Sequence, residues 1–304
     1  MKRVTAIIPS WNGRHLLPFS LEALQRQDED GMEVLVVDNG SSDGTEPWLH
    51  ERFPGVRLLS LPVNTGFASA VNAGCAATRS HHVLVLNNDA APEPAYVRTL
   101  ADFLDARPRA GSCQGRVLRH QDPSRVDSLG IVLDPFLRAH QAGHGERDPG
   151  PVGSPRQVSG VSASAALYRR CALESVAGNQ EPPEIFAAEF FAYYEDIDLA
   201  LRLARARWTA YLVPGVSCEH VGSATGIDGS FIKTFRLGRN YHLYLARHLG
   251  LRPWLRLAPS LLAQSLARLA ALPLHPWRNA ALLAGELAAL RRLPAALRTG
   301  SRPR

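Results

Sequence analysis

The sequence is poor in the residues and runs that mark several common protein classes. Its four cysteines lie far apart and form no Cys-x-x-Cys pair, so we expect neither a structural zinc site nor a disulfide framework. It has no uncharged apolar stretch of about 18 residues, which predicts that no helix spans a bilayer. The basic start Met1-Lys2-Arg3 leads into an apolar run that stops at Pro9, too short for a secretory signal.

A glycine-rich phosphate loop is missing as well. Gly13, Gly40, Gly44 and Gly66 fit neither G-x-G-x-x-G nor G-x-x-x-x-G-K, which argues against the usual dinucleotide and ATP sites. With 45% hydrophobic and 20% charged residues, the 304-residue chain is still too apolar to be disordered and long enough for a sizeable core.

The net charge is divided unevenly along the chain. Residues 229–304 carry thirteen Lys or Arg against one acid, Glu286, and therefore a net charge of +12. The 21 basic and 27 acidic residues that remain give residues 1–228 a charge of −6. This division predicts an anionic partner for the basic tail, either a membrane surface or nucleic acid.

Strand and helix patterns alternate in the first part of the chain. Apolar runs at 4–8, 33–37 and 56–63 predict three strands, and apolar residues at helical spacing follow each of them. The run Val83–Leu86 has no alternation, which is typical of a strand buried on both faces. Together these segments predict a parallel sheet covered by helices.

The pattern is less regular farther along. Residues 108–156 are rich in Gly, Pro and Asp, and we expect them to be mainly loop, with a short strand or hairpin within 122–133. A good helix-forming run follows at 195–206, and Tyr211–Pro214 predicts a strand.

Functional side chains follow the predicted strands, at Trp11, Asp38, Asn64 and Asp89. The carboxyl ends of parallel strands share one edge, where α/β sheets bind ligands, so these residues are expected to converge. Trp11 could stack on a base, and Asp38 could accept the ring N–H of uracil or thymine. Asp89 could bind Mg²⁺ or Mn²⁺ and so grip a diphosphate. The structural alternatives are a core aromatic, turn formers and a helix cap.

A second acidic group lies at the start of the 195–206 helix. Glu195, Asp196 and Asp198 fall in or before its first turn, where acids complement the helix dipole. The alternative is a general base that takes a proton from a sugar hydroxyl. His220 follows a strand end and could be structural, a metal ligand or a phosphate donor.

The motifs together resemble the inverting, GT-A-type glycosyltransferases of family 2, and within that family a bacterial rhamnosyltransferase-like branch. They keep the family's order over residues 4–250. The matching segments are Ile7–Asn12, Val36–Gly44, Asn64–Ala68 with Asn72 and Gly74, Leu86–Asp89, Tyr194–Leu199 and His220–Ser223.

The resemblance implies an α/β protein with the GT-A, Rossmann-like fold. A mostly parallel central sheet would be flanked by helices and followed by a C-terminal helical appendage. The catalytic domain would span 1–228, with a nucleotide-sugar half at about 1–110 and an acceptor half at about 111–228. Residues 229–304 would form the basic, amphipathic helical region.

The resemblance also implies roles for individual residues. Asp196 would be the catalytic base with Glu195 in support, and Asp89 and His220 would bind a divalent metal, Mg²⁺ or Mn²⁺. The residues expected to bind the nucleotide sugar are Pro9, Trp11, Asn12, Asp38, Asn64, Gly66, Asn72, Asn87 and Asn88. Those expected on the acceptor side are Gly160, Tyr194 and Asp198. The chain departs from many relatives at Asn87, where the metal motif has an acid, and at Val71, where they carry an arginine.

The implied reaction is inverting sugar transfer in the synthesis of cell-envelope polysaccharide. The donor would be dTDP-rhamnose or a UDP sugar, and the acceptor a hydroxyl of a glycan or polyprenyl-linked molecule. One alternative is a nucleotidyltransferase that makes the sugar nucleotide, although Ser10–Gly13 is not the basic, glycine-rich loop such an enzyme needs. The other is a catalytically silent sugar-binding or scaffold protein, against which the intact Asp89 and Glu195-Asp196 argue.

The tail is expected to form Leu/Ala-rich helices at 254–272 and 280–297 that carry arginines. Basic and amphipathic helices suit an anionic inner leaflet, which predicts a cytoplasmic protein peripheral on the inner face of the plasma membrane. A nucleic-acid partner is not expected, since nothing resembles a reading motif. The alternative is that the helices pack on the catalytic domain or in a homodimer interface, because arginine stems cover apolar surface in either case.

Overall fold

Strand and helix alternate along the first part of the chain, as the hydrophobic runs predict. The computed structural model of the protein describes residues 2–134, 137–178, 183–222, 230–249 and 251–293. The first strands are β1 (Val4–Ser10), β2 (Glu33–Asp38), β3 (Arg57–Ser60) and β4 (His82–Leu86). The helices that follow them are α1 (Leu17–Gln25), α2 (Thr45–Arg52), α3 (Phe67–Ala76) and α4 (Tyr96–Asp105).

These four strands are parallel and lie in the order β4-β1-β2-β3. Their registers keep the carboxyl ends level, since Ser10 pairs with Asp38 and Asp38 with Ser60. Successive residues of a strand point to opposite faces, so Ile8 packs in the apolar cluster with α1 and α4 while Ile7 packs in the cluster with α3. Helices thus cover both faces, and one edge of the sheet collects the strand ends.

The rest of the sheet mixes strand directions. Its strands are β5 (Ala90–Pro92), β6 (Ala110–Arg119), β7 (Asp122–Ser128), β10 (Arg156–Val158), β11 (Ala165–Arg169) and β12 (Thr209–His220). Antiparallel β11 joins the two parts because it pairs with both β4 and β6, and β12 runs parallel to β6. A separate hairpin is formed by β8 (Ile131–Leu133) and β9 (Ala139–Gln141), and the helices here are α5 (Arg170–Ser175) and α6 (Glu195–Arg205).

The expectation of mainly loop at 108–156 is wrong at β6, a strand of 10 residues in the middle of the sheet. Gly111, Gln114 and Gly115 interrupt its apolar pattern, but every residue up to Leu118 is buried. The missing side chain of Gly115 is used for packing, since a Cβ there would lie 2.6 Å from the ring of Tyr96. Tertiary contacts therefore stabilise a strand that local propensity does not favour.

The contacts divide the chain into two compact units. One comprises Met1–Phe191 and Glu195–Thr225, and the other Ala192–Tyr194 and Gly226–Arg304. The second unit contains α7 (Phe231–Leu249), α8 (Leu251–Ala270) and α9 (Pro276–Leu290). The two predicted tail helices are thus present, although residues 294–297 and the expected domain boundary at 228/229 lie outside the described residues.

Candidate active site

The loops after β1 and β2 are bonded to each other at the carboxyl edge of the sheet. The Asn12 side-chain oxygen accepts from the Ser42 backbone N–H at 2.8 Å, and the Asn12 N–H donates to the Ser41 hydroxyl at 2.8 Å. The Asp38 carboxylate is 5% exposed and accepts from the Ser41 N–H at 3.1 Å. Trp11, which precedes Asn12, is 45% exposed. This edge therefore carries both an exposed aromatic side chain and a buried carboxylate.

Asn39, which the motifs alone do not single out, links these loops to the one after β3. Its side-chain N–H₂ donates to the Asn64 side-chain oxygen and to the Gly66 carbonyl, both at 3.1 Å. Its side-chain oxygen accepts from the Thr65 N–H at 2.9 Å. An amide both donates and accepts, so Asn39 can tie two loops together where its neighbour Asp38 cannot. This capacity to donate and accept is the sequence feature by which Asn39 could have been selected as a residue that links loops.

Gly66 and Asn72 contact the segment that leads towards the Glu195 motif. Gly66 has φ +88°, and a Cβ there would lie 2.6 Å from the Phe191 carbonyl oxygen, so only glycine fits without a shift. The Asn72 side chain accepts from the Phe186 N–H at 2.8 Å and donates to the Phe186 carbonyl at 2.7 Å. Both ends of the Asn72 amide thus bind backbone, and in this structure the residue fixes that segment.

Two other predicted donor-side residues belong to the framework of the edge. Pro9 lies half-buried in β1, paired with Val37. The Asn88 side chain donates to the Ser10 hydroxyl at 3.1 Å and so joins the loop after β4 to the end of β1. Val71, where the family resemblance leads us to expect an arginine in many members, is fully buried in the cluster around α3.

Asp89 and His220 meet where β5 pairs with β12, since His220 stands opposite Ala90. The His220 Nε2 atom lies 3.2 Å from Asp89 Oδ1 and 3.1 Å from the Asn87 side-chain nitrogen. On the other side of the ring, Nδ1 lies 2.8 Å from Asp127 Oδ2. Burial lowers the pKa of His220, but hydrogen bonds and charges from Asp127 and Asp89 outweigh it and raise the pKa to about 9.

The donor set of this cluster suits a hard divalent cation. A carboxylate oxygen suits Mg²⁺ or Mn²⁺, and a neutral imidazole nitrogen is a common ligand for divalent metals. Within the described ranges, no three His, Cys, Asp or Glu side chains are grouped so as to hold a metal by themselves. An ion with one or two protein ligands completes its coordination with substrate phosphates and water. Asp89 and His220 therefore fit a cation shared with a diphosphate.

Asp196 connects to the same edge through two residues. Its Oδ2 accepts from the Ala163 N–H at 3.4 Å. The carbonyl of the next residue, Ser164, accepts from the Asn87 N–H at 2.9 Å. Asn87 begins the Asn-Asn-Asp triplet that ends at Asp89. Two neighbouring residues thus make the connection: Ala163 is hydrogen-bonded to Asp196, and Ser164 is hydrogen-bonded to the loop that contains Asp89.

The Glu195-Asp196 pair is held in an enclosed setting at the start of α6. Glu195 is 6% exposed, and among the described residues its Oε2 has no hydrogen-bond partner. Burial raises the pKa of Glu195, and the Asp196 charge raises it further. Burial also raises the pKa of Asp196, against three backbone hydrogen bonds that lower it. A carboxylate with a raised pKa takes up a proton more readily than an ordinary one, which suits a general base.

The predicted acceptor-side residues have other neighbours. Asp198 is fully buried and accepts from Arg202 Nε at 2.7 Å. A Cβ at Gly160 would lie 2.5 Å from that of Ala200, so the close approach at this glycine is to α6. Tyr194 belongs to the second unit, where its ring centroid is 5.6 Å from that of Tyr244. The acceptor-side roles of these three residues therefore stay predictions.

Solved structures of two other proteins share this fold. The mannosyltransferase PcManGT from Pyrobaculum calidifontis, in complex with GDP-Man and Mn²⁺, matches with a TM-score of 0.54 and 24% identity over 98% of this chain and 79% of that chain. The S. aureus protein TarS matches with a TM-score of 0.54 and 15% identity over 81% of this chain, which spans 40% of the TarS chain. The predicted GT-A fold with C-terminal helices is thereby confirmed.

Sequence comparison then gives the family. The model of Glycosyl transferase family 2 matches residues 5–176. The N-acetylglucosaminyl-diphospho-decaprenol L-rhamnosyltransferase of Mycobacterium tuberculosis is 32% identical over 261 residues, which are 78% of this chain and 82% of that protein. The chain therefore belongs to glycosyl transferase family 2, is a glycosyltransferase and is similar to a rhamnosyltransferase, as the motifs predict. The nucleotidyltransferase and silent-scaffold alternatives are set aside.

Proposed function

We propose that the protein transfers rhamnose from dTDP-rhamnose to a hydroxyl of a lipid-linked N-acetylglucosamine acceptor, in cell-envelope polysaccharide synthesis. The name of the M. tuberculosis relative supports the sugar and the acceptor class. The observation that carries the proposal is the pair of adjacent hydrogen bonds at Ala163–Ser164, which link Asp196 to the loop of Asp89. Residues of about 1–110 would bind the donor, and those of about 111–228 would shape the acceptor side.

In this proposal the donor is held by the loops at the carboxyl edge. Trp11 stacks on the base, and the Asp38 carboxylate accepts the ring N–H of thymine, which a uracil also offers. Because Asn12 and Asn39 tie the loops together, the site needs little reordering when the nucleotide binds. A divalent cation bound by Asp89 and His220 would supply positive charge to the leaving diphosphate.

Asp196 is the proposed general base. Its carboxylate takes the proton of the acceptor hydroxyl while the acceptor oxygen forms a bond to the anomeric carbon of the sugar. The bond from that carbon to the diphosphate oxygen breaks, and the nucleoside diphosphate leaves with the electron pair. Attack and departure on opposite faces invert the anomeric configuration.

The experiment that tests this function uses a synthetic N-acetylglucosaminyl-diphospho-polyprenol acceptor and four donors: dTDP-rhamnose, dTDP-glucose, UDP-glucose and GDP-mannose. We expect rhamnosyl transfer, with product whose anomeric configuration by NMR is opposite to that of the donor. Transfer from a UDP sugar alone would reject the proposed donor. Retention of configuration would reject single displacement.

We further infer that the C-terminal helices bind an anionic membrane surface. On α8, Leu255, Leu262, Leu266 and Leu269 are each more than half exposed, and their spacing places them on one helical face. Arg252 and Arg256 are exposed on the same helix, and residues 229–304 carry a net charge of +12. No helix within the described residues is long and apolar enough to cross a bilayer. An apolar face beside cationic side chains suits peripheral binding to anionic lipid.

Flotation of the full-length protein with phosphatidylglycerol-containing liposomes tests this surface. The triple variant Leu262→Ser, Leu266→Ser and Leu269→Ser should stay at the bottom of the gradient. The matched control replaces three exposed valines of the first unit with serine, in Val63→Ser, Val132→Ser and Val152→Ser. This variant should float like the wild type. If the leucine variant floats equally well, the membrane proposal is wrong. If that variant instead converts a dimer to a monomer in light scattering, the face is a homodimer interface.

A further inference from the structure

A bulge in β7 singles out Asp127. Ser128 pairs with Val117 and Val126 with Leu118, so two neighbouring residues of β6 stand opposite two residues of β7 that are not neighbours. Asp127 is the extra residue between them. Such bulges re-aim a side chain, and they recur beside functional sites. Val126 and Ser128 on either side are fully buried, so the flanking strand is fixed in place.

The backbone of Asp127 is hydrogen-bonded to His144, which is itself bonded to Arg119. Arg119 Nη2 lies 3.0 Å from His144 Nε2, and because an arginine only donates, that ring nitrogen is the acceptor. The other ring nitrogen of His144, Nδ1, then donates to the Asp127 carbonyl at 2.9 Å. The backbone at the bulge is thus fixed by a side chain from the loop after β9.

The Asp127 carboxylate faces inward, onto the candidate metal ligand. Its Oδ2 accepts from His220 Nδ1 at 2.8 Å, and the opposite ring atom, Nε2, lies 3.2 Å from Asp89 Oδ1. Histidines that bind metals usually donate their second ring N–H to a carboxylate or carbonyl, which fixes the ring orientation and makes the ligand more basic. Asp127 and His220 have the carboxylate–histidine part of that arrangement, and Nε2 is directed to the other candidate metal ligand, Asp89.

We propose, resting on the proposed function, that Asp127 is a positioning residue that holds His220 in the orientation in which Nε2 binds the divalent cation. Nothing local in the sequence signals this role. Asp127 lies within a segment expected to hold a short strand or hairpin, and only the pairing of β7, β6 and β12 brings it to His220.

The test measures Mn²⁺ affinity by electron paramagnetic resonance on the full-length protein, with and without dTDP. Asp127→Ala should weaken Mn²⁺ binding by about 10- to 100-fold, as losses of such outer partners do. Asp127→Asn, which keeps an oxygen to accept from Nδ1, should lose less. The matched control is Asp122→Asn on the same strand, whose exposed carboxylate binds Ser124 and Arg125 and should leave Mn²⁺ affinity unchanged.

Three further measurements make the outcomes separable. The metal-free affinity for dTDP should match the wild type in both Asp127 variants, because the proposed role is confined to the metal ligand and leaves the folded donor loops intact. If Asp127→Ala binds Mn²⁺ like the wild type while His220→Ala does not, the positioning role is overturned and the metal site stands. If Asp89→Asn and His220→Ala also bind Mn²⁺ like the wild type, these residues are not the metal ligands. The metal part of the proposed function and the positioning role of Asp127 are then both wrong.

Discussion

The donor loops and the Glu195-Asp196 motif satisfy their polar groups in opposite ways. On the donor side, Asn39 bonds to the neighbouring loop through both ends of its side-chain amide, and Asn12 does so through its backbone N–H and its side-chain oxygen. In the acid motif, by contrast, Oε2 of Glu195 is buried without a hydrogen-bond partner among the described residues. Satisfied polar networks make a loop rigid, whereas an enclosed carboxylate favours proton uptake. One region is therefore suited to holding a ligand and the other to accepting a proton.

The largest expected effect is at Asp196. Asp196→Asn removes the proposed proton acceptor but keeps the size of the side chain, so kcat should fall by about 10²–10⁴-fold. The affinity for dTDP, measured by calorimetry, should stay at the wild-type value because the donor loops are untouched. The control is Glu51→Gln, an exposed acid on α2 that should not change turnover. Turnover within about tenfold of wild type would show that Asp196 is not the base.

The next effect breaks the donor-side network. Asn39→Ala removes the acceptor of Thr65 and the donor to Asn64 in a residue that is 4% exposed. Unpaired buried polar groups are costly, so we expect a loss of about 2 kcal/mol in the free energy of unfolding by urea, and a higher KM for the donor. Asn39→Asp retains the acceptor and should lose less. An unchanged KM in Asn39→Ala would mean that these loops do not shape the donor site.

The pH dependence of kcat tests the proposed protonation behaviour of Glu195 and Asp196. Because burial raises the pKa of Asp196, kcat should rise with pH through a midpoint well above the value of about 3.9 of a free aspartate. At higher pH, ionisation of Glu195 places a second negative charge beside the base. Glu195→Gln should therefore keep the acid limb and flatten any change on the alkaline side. An acid midpoint near 4 would contradict the enclosed setting of Asp196.

The smallest effect is on stability. The pKa of Glu195 is higher in the folded protein than in the unfolded chain, so its favourable contribution is complete below the unfolded value of about 4.3. That contribution is lost as the pH rises through the folded value. The melting temperature of Glu195→Gln relative to wild type should thus increase between pH 5 and pH 9, as scanning calorimetry can measure. A constant difference across that range would argue that Glu195 has no raised pKa.

The local sequence pattern predicts where several of the candidate site residues lie, whereas the positions of others depend on the pairing of distant strands. Trp11, Asp38 and Asp89 follow buried strands, and the carboxyl ends of parallel strands share an edge, so the sequence alone places these residues together. The amide of Asn39 signals that it can both donate and accept, but not which groups it binds, because those lie in the loop after β3. Asp127 could not be predicted because its partner, His220, is 93 positions away and meets it only through β6. The sequence therefore predicts site residues that directly follow a strand in the chain. It does not predict residues whose partners are brought to them by the pairing of strands far apart in sequence.

The most direct test of the shared edge is a crystal structure with Mn²⁺ and dTDP, with data collected at the manganese absorption edge. The account predicts one anomalous peak at coordination distance from Asp89 and His220, and the diphosphate bound to it. It also predicts the thymine between Trp11 and Asp38, and open space from the outer phosphate towards Asp196 for the sugar and the acceptor. A diphosphate or manganese bound elsewhere, with Asp196 walled off from it, would contradict the proposal that these acids serve one reaction.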